Sequence, residues 1–447
     1  MNKKINKQAD TIAACATAAG SSGLALIRVS GPNTATIAKK IIGLVPKPMR
    51  AKYSNFLSPG RSIIDSGIAL YFKGPKSYTG ENTLELTCHG GSAVVDQILQ
   101  ALIEYGARLA GPGEFTKRAF LNDKMDLTQA EAVADLIESS SAATARAAKR
   151  SLDGAFSTKT LSLSALLSEI RVNVEASLDF PEEDLKETGQ HDGLILKTNE
   201  TKDIFSTLLK NTRLACRIRE GVVVALTGKP NVGKSTLMNT LCGHERAIVS
   251  EVPGTTRDTL DEDALIDGYK VRLIDTAGIR EPENTIEKEG VNRAIKAAQN
   301  ADIVIHVIDG SADQPTKKKT KANDIVVLNK NDLTGHVPGK VENEANTFRL
   351  SALTGEGVGD LLNHISNYFN QGLLVEETLT ARRRHLSALK EANKHFLEAE
   401  AKILTGRITD LVAEDLLQAQ NSLSEITGEF TSEDLLEKIF NEFCIGK

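Results

Sequence analysis

The chain has 447 residues, 40% of them hydrophobic and 25% charged, and a formal net charge of -5 at neutral pH. This is an ordinary globular composition with room for about three domains, and it excludes the disordered, fibrous and disulfide-stapled classes. Any nucleic-acid partner must be met by local basic patches, because the overall field is negative.

The opening stretch MNKKINKQADTIAACATAAG is too weakly apolar for a signal peptide. Apolar runs such as GVVVALTG and ADIVIHVIDG fall far short of the roughly 18 residues of a membrane span, so a cytoplasmic protein is expected. The five cysteines, Cys15, Cys88, Cys216, Cys242 and Cys444, are scattered and form no CxxC pair, which points to a reducing compartment without a zinc site.

Residues 1 to 120 read as a small α+β unit. Strand-like runs (GLALIRVSG, SGIALYF, NTLELTCHGG) alternate with helical patterns in TATIAKKII, closed by Gly43, and VVDQILQALIEY, closed by Gly106. Residues 121 to 219 are rich in Ala, Leu and Ser with helical periodicity. Thr128 and Glu131 have capping-box spacing, and Pro181 in LDFPEED is expected to stop a long helix. Residues 220 to 372 interleave β runs with helices, as in a doubly wound parallel sheet, and Asp267-Gly268 is a hairpin turn signal. Residues 373 to 447 return to helix, with Thr431 and Asp434 spaced to start the last one. The expected fold is multidomain: an α+β N-terminal domain and an all-α domain into which an α/β P-loop domain is inserted.

The sharpest motif is GKPNVGKST, which fits G-x-x-x-x-G-K-[ST] between a strand and a helix. Gly228, Asn231, Val232 and Gly233 let the backbone curl around a β-phosphate. Lys234 neutralises β/γ charge, Ser235 offers a hydroxyl to Mg²⁺, and Thr236 follows it into the helix. Companions follow in order. Thr256 in SEVPGTTRD is the switch threonine and a second Mg²⁺ candidate. Asp275, Thr276, Ala277 and Gly278 form DTAG, with the carboxylate toward the Mg²⁺ shell and Gly278 toward a γ-phosphate. Asn329, Lys330 and Asp332 lie in NKND, where the two oxygens of Asp332 suit the N1–H and 2-amino donors of guanine. Ser351, Ala352 and Leu353 form a further base loop. The nucleotide is therefore GTP. Ile279 stands where Ras-like GTPases place a water-orienting Gln, so hydrolysis must be catalysed differently.

GPGEFTKRAFLNDKMDLTQAEAVADLI, LDFPEED and the closing FCIGK, together with AIVSEVPGTTRD and DTAGIR, resemble the MnmE (TrmE) family of tRNA modification GTPases, within the TrmE–Era–EngA group. The resemblance covers the whole chain and implies a homodimer that binds a tetrahydrofolate derivative (5-formyl- or methylene-) through its N-terminal domain. It implies an FAD- and NADH-dependent MnmG/GidA-like partner in a heterotetramer or larger complex. The pair adds an aminomethyl-type group, carboxymethylaminomethyl, to carbon 5 of the wobble uridine of certain tRNAs.

In the family pattern the folate residues fall on Arg28, Glu85, Lys124 and the terminal Lys447, the cations suiting glutamate carboxylates and Glu85 the amino-pyrimidine edge. A K⁺ ion would be held by Asn231, Ser250, Val252 and Thr255, in a loop that includes Glu251, Pro253 and Gly254, and the catalytic carboxylate falls on Glu287. Cys444 is a candidate for the uridine chemistry; Gly446 and Lys447 match a prenylation box poorly. KKKTK at 317 to 321 and RRRH at 382 to 385 read as solvated charge or tRNA contacts, and His89 has no assignable nucleophile partner. A GTP-dependent ribosome-assembly switch is the alternative reading, one that would not need the folate residues.

Overall fold

The computed structural model describes residues 10–18, 20–139, 141–179, 190–244, 261–266, 269–275, 301–312, 324–342, 344, 346–370, 379–406, 409–429, 432–441 and 443–446. The chain divides into two compact units, Met1–Ala134 with Gln420–Lys447, and Asp135–Ala419.

The first unit is built on strands β1 (Ile12–Cys15), β2 (Ser22–Ser30), β3 (Lys52–Leu57), β4 (Ile63–Phe72), β5 (Thr83–Gly90) and β6 (Arg108–Leu109). They form one sheet in the order β3-β4-β5-β2-β1-β6, in which β1 and β6 pair in parallel and the other neighbours antiparallel. Helices α1 (Thr34–Ile42) and α2 (Ser92–Glu104) cover the sheet, burying Ile37, Ile41, Ile98 and Leu102 against Ile27, Val29, Leu84 and Leu86. Gly43 closes α1 in the left-handed region at φ 78°, as read from the sequence.

Strands β1 and β3 were not legible in the sequence. IAAC has little β propensity of its own and becomes a strand because β2 and β6 pair with it on both edges. The helical tail of this unit comprises α3 (Glu114–Leu121), the start of α4 (Leu127–Glu138), the end of α11 (Asp410–Thr427) and α12 (Glu433–Asn441), with Phe120, Leu127 and Ala130 packed against Leu436, Ile439, Phe440 and Phe443.

One cap assignment changes. The box at the start of α4 is made by Asp126, whose Oδ1 accepts the Gln129 N–H at 3.0 Å, and by Gln129, whose Oε1 accepts the Asp126 N–H at 3.0 Å. Thr128 and Glu131 are instead buried inside the helix. At α12 the Ser432 hydroxyl accepts from Leu435 N–H, and Thr431 lies outside the described residues.

The second unit joins a helical part to an α/β part. Helices α5 (Ala142–Leu152), α6 (Ala155–Asp179), α7 (Gln190–Glu220) and α10 (Arg383–Leu404) pack together, with Phe205 stacked on Phe396 at 5.1 Å. Pro181 lies outside the described residues, beyond the end of α6 at Asp179. The sheet runs β12 (Gly339–Lys340), β13 (Thr347–Arg349), β11 (Asp324–Asn329), β10 (Ile303–Asp309), β7 (Val222–Thr227), β9 (Tyr269–Asp275) and β8 (Asp261–Ile266). Its five central strands are parallel and the two edges antiparallel. Ile266 pairs with Tyr269, which leaves room for a two-residue turn at Asp267-Gly268, itself outside the described residues. Helices α8 (Lys234–His244) and α9 (Val358–Asn370) cover the sheet, burying Leu237, Leu241, Val358, Leu361 and Ile365 in its core.

Candidate functional site

The nucleotide candidates converge at the carboxyl ends of β7, β9, β10 and β11, where open α/β sheets bind ligands. Between β7 and α8 the loop takes left-handed values at Asn231 (φ 63°) and Gly233 (φ 92°), and Gly228 stands at φ 152°. A Cβ on Gly228 would lie 2.3 Å from the Val307 carbonyl oxygen, and one on Gly233 would lie 2.3 Å from Asn329 Nδ2. The motif's glycines are thus required by close approach as well as by dihedral.

Lys234 donates to the carbonyl oxygens of Gly228 (3.0 Å) and Lys229 (2.7 Å), so the loop is pulled around its ammonium. Ser235 Oγ donates to Asp275 Oδ2 at 3.0 Å. A hydroxyl and a carboxylate brought together at the head of a helix are the hard oxygen donors that Mg²⁺ prefers.

The base-side loops are tied to the same frame by Asn329, 3% exposed. Its Nδ2 donates to the Val232 carbonyl (2.8 Å) and its Oδ1 accepts the Ala352 N–H (2.9 Å), so one side chain locks the phosphate loop to the Ser351–Leu353 loop. Asp332 lies exposed on a 3₁₀ turn, Asn331–Leu333, just after Lys330, which is itself left-handed at φ 66°. Lys330 binds Asp309 at 2.6 Å and, with Ser311, holds that carboxyl down at about 2. Thr236 lies exposed in the first turn of α8. Ser250, Glu251, Val252, Pro253, Gly254, Thr255, Thr256, Thr276, Ala277, Gly278 and Glu287 lie outside the described residues, as do KKKTK and Lys447.

In the first unit Arg28 and Glu85 face each other across β2 and β5 in register, joined at 2.8 Å and about equally half-buried. The Arg28 guanidinium sits over the rings of Tyr78 (5.3 Å) and Phe115 (5.8 Å), neither of which the sequence singled out. Tyr78 OH is 2.8 Å from Thr116 Oγ1. Lys124 reaches the Pro75 carbonyl at 3.1 Å and packs its stem on Gly80, at the loop that carries Tyr78.

Beside this pair lies an ionic network around the buried Arg118 and Glu114 that also escaped the sequence reading. Arg118, 2% exposed, binds Asp10 (2.9 Å), Glu114 (3.0 Å) and Glu81 (3.1 Å), and Arg108 joins Asp10 and Glu114. Burial pushes the Cys88 thiol up to about 11 and does the same at Cys216, so neither is a nucleophile at neutral pH.

His89 is exposed and rests on Asp65 at 2.9 Å. The basic start of α10 is engaged within its own unit, Arg382 with the buried Asp135 and Arg383 with Glu220. Among the described residues His395, Glu398 and Asp415 are close enough to share a cation, but Lys402 already neutralises Asp415.

A phosphate loop opening a helix, a Ser–Asp pair at its head and an Asn-locked base loop with an exposed carboxylate define a P-loop GTPase. The family model for the MnmE helical domain matches residues 127–444, and that for the GTP-binding protein TrmE N-terminus matches residues 11–124. The tRNA modification GTPase MnmE of Coxiella burnetii (strain Dugway 5J108-111) is 47% identical over 456 residues, covering 98% of this chain and 99% of that one. Its counterpart in Pseudomonas fluorescens (strain Pf0-1) is 45% identical over 453 residues, with the same coverage. The chain belongs to the MnmE family of tRNA modification GTPases. The G domain of the T. maritima FeoB iron transporter is 26% identical over 33% of this chain and 98% of that one, at a TM-score of 0.23, too low to bear on the fold. Among the described residues no helix is long and apolar enough to cross a membrane.

Proposed function

We propose that this chain is a K⁺-dependent GTPase of the cytoplasm that acts as a homodimer with an FAD-dependent, MnmG-like partner, which brings FAD and NADH. The complex adds a carboxymethylaminomethyl group to carbon 5 of the wobble uridine of certain tRNAs, with a tetrahydrofolate derivative as one-carbon donor. The division of labour follows the four segments: 1–120 for folate and dimerisation, 220–372 for GTP, and 121–219 with 373–447 as the helical domain.

The observation that carries the GTPase reading is the Ser235–Asp275 contact at the head of α8. Mg²⁺ bound there supplies charge neutralisation for the β- and γ-phosphates. Ser235 and Asp275, with Thr256, are the residues that would hold it. Lys234 turns from the loop carbonyls to the phosphates, and Asp332 takes the guanine edge. Ile279 cannot orient water, so Glu287 takes that role and K⁺, held by Asn231, Ser250, Val252 and Thr255, takes the place of an arginine finger. The oxygen-rich set of donors suits a hard monovalent cation.

For folate, the pairing of Arg28 with Glu85 revises the assignment of roles. Groups 2.8 Å apart serve one end of a ligand whose pterin and glutamate are separated by an aromatic bridge. Glu85 takes the amino-pyrimidine edge with Arg28 orienting it between Tyr78 and Phe115, and Lys124 and Lys447 remain for the glutamate carboxylates.

The mechanism is tested by cation exchange. GTP hydrolysis should run at least ~10-fold faster in K⁺ than in Na⁺, and Glu287→Ala should lose ~100-fold in kcat while still binding GTP. Equal rates in the two salts, or full activity of Glu287→Ala, would refute it. Titration with a reduced folate tests the N-terminal role: the ribosome-assembly reading predicts no binding.

A further inference from the structure

The end of β10 and the NKND loop are fastened together by main chain and by one carboxylate. The Gly310 N–H donates to the Asn329 carbonyl at 2.7 Å, and a Cβ on Gly310 would stand 2.9 Å from that same oxygen, so the two backbones lie directly against each other. One residue earlier both oxygens of Asp309 are in use. Oδ2 accepts from the Lys330 ammonium at 2.6 Å, and Oδ1 accepts from the Ser311 N–H at 3.0 Å and from its hydroxyl at 2.6 Å. Ser311 therefore holds the carboxylate in the orientation that meets Lys330.

Lys330 is the residue that needs holding. It stands at φ 66° and ψ 36°, in the left-handed region that a residue with a long side chain seldom takes. Such a backbone persists only where its surroundings over-determine it. The neighbours on either side are buried and tied down by their own amides: Asn329 to Val232 and Ala352, and Asn331 to the His336 carbonyl. Between them Lys330 turns the chain out of β11 into the Asn331–Leu333 turn, and so decides where the exposed Asp332 presents its carboxylate. With side chains 33% and 27% exposed, the Lys330–Asp309 pair adds little to the stability of a whole domain. Its consequence is local, at the left-handed residue that opens the base turn.

We infer that Asp309 is a positioning residue for guanine selectivity: by holding the Lys330 ammonium it keeps the left-handed turn that sets Asp332 against the base. The inference rests on the reading of Asp332 as the group that meets the guanine edge, and Asp309 acts through Lys330 rather than on the nucleotide.

The test compares the full chain with Asp309→Asn, which keeps the shape and removes the charge, and with Asp309→Glu, which keeps a carboxylate for Lys330. Two quantities are read: the ratio of the dissociation constants for inosine triphosphate and GTP, and amide hydrogen exchange in the peptide spanning 329–335. Inosine keeps N1–H but lacks the 2-amino donor of guanine, so the ratio reports how well Asp332 meets that donor, and a partial loss of folded protein does not move it. Wild type should prefer GTP by about tenfold or more, and Asp309→Asn should lose about fivefold of that preference while exchange in 329–335 quickens by about tenfold. Asp309→Glu should keep most of the preference. A wild-type ratio in Asp309→Asn overturns the positioning role, and a lowered ratio with unchanged exchange overturns the route through the turn. A Glu variant as unselective as the Asn one overturns the part given to the charge. If the wild-type chain binds inosine triphosphate as tightly as GTP, the reading of Asp332 fails and the selectivity role falls with it, while faster exchange in Asp309→Asn would still show that the carboxylate holds the turn.

Discussion

Replacing Asp332 by Asn should convert the chain from a guanosine to a xanthosine nucleotide enzyme. Asp332 stands exposed at the end of β11, on a turn held in place by the buried Asn329 and by the left-handed Lys330. In the proposed base site its two carboxylate oxygens would meet two donors of guanine, N1–H and the 2-amino group. An Asn keeps one acceptor and sets an N–H₂ donor against the guanine amine. Charged hydrogen bonds of this kind contribute roughly 1.5–3 kcal/mol each, so GTP affinity should fall by about 100-fold or more. Xanthine presents a carbonyl in place of that amine, which the new donor can meet, so xanthosine triphosphate should be bound and hydrolysed in its stead. Competition binding of the two nucleotides reads the switch, and an unchanged preference for GTP would remove Asp332 from the base site.

The second large effect is expected at Arg118, whose guanidinium is nearly sealed from solvent and compensates Glu114, Glu81 and Asp10 together. Arg118→Met preserves the volume but leaves Glu81 without a guanidinium partner and Asp10 and Glu114 with Arg108 alone. Breaking a fully buried pair costs about 3–5 kcal/mol, and because Glu81 and Asp10 are partly exposed and Arg108 stays in place the loss here should fall below that range while remaining a large share of a domain's stability. Of the six tyrosines, Tyr53, Tyr71, Tyr78 and Tyr105 lie in the first unit, and the chain has no tryptophan, so tyrosine fluorescence in a urea titration reports chiefly on this unit.

The same network sets an acid limit. Burial alone would raise the Glu114 carboxyl, but hydrogen bonds from Arg108, the Gly111 N–H and Arg118 outweigh it and hold the group below its ordinary 4.5. A carboxylate lowered on folding contributes stability that is present above its unfolded value and is lost as pH falls through the folded one. The first unit should therefore weaken as the pH drops below about 4.5, and Arg118→Met should show less of that dependence. An Arg118→Met chain with wild-type urea midpoint at neutral pH would mean that the network is decorative.

The nucleotide site was legible because its causes are local. Gly228 and Gly233 are separated by the fixed spacing of one loop, and β7 (VVVALT) and β11 (DIVVLN), which lead into two of the motifs, carry the continuous apolar runs of a parallel sheet. Even there the interlocking role of Asn329 was hidden, since it depends on how three loops meet. In the first unit the physical causes are distant in sequence. Arg28 meets Glu85 through strand register, and Arg118 reaches back to Asp10 across 108 positions, so residue type alone suggests only surface charge. The family resemblance, not periodicity, singled out Arg28 and Glu85, and nothing in the resemblance pointed to Tyr78, Phe115 or the network beside them. The cap of α4 was misplaced for a simpler reason: three hydrogen-bonding side chains, Asp126, Thr128 and Gln129, crowd one helix start, and the hydroxyl of Thr128 donates to Asp126 instead of capping the helix.

Nucleoside mass analysis of tRNA decides whether GTP turnover by this chain serves wobble-uridine modification. Cells lacking the chain would be compared with the same cells given the wild-type or the Asp332→Asn protein. The expected result is loss of the carboxymethylaminomethyl group from carbon 5 of the wobble uridine in the deletion, its return with the wild-type chain, and no return with Asp332→Asn while GTP is the nucleotide available. Wobble uridines that carry the full modification in the deletion strain would contradict it.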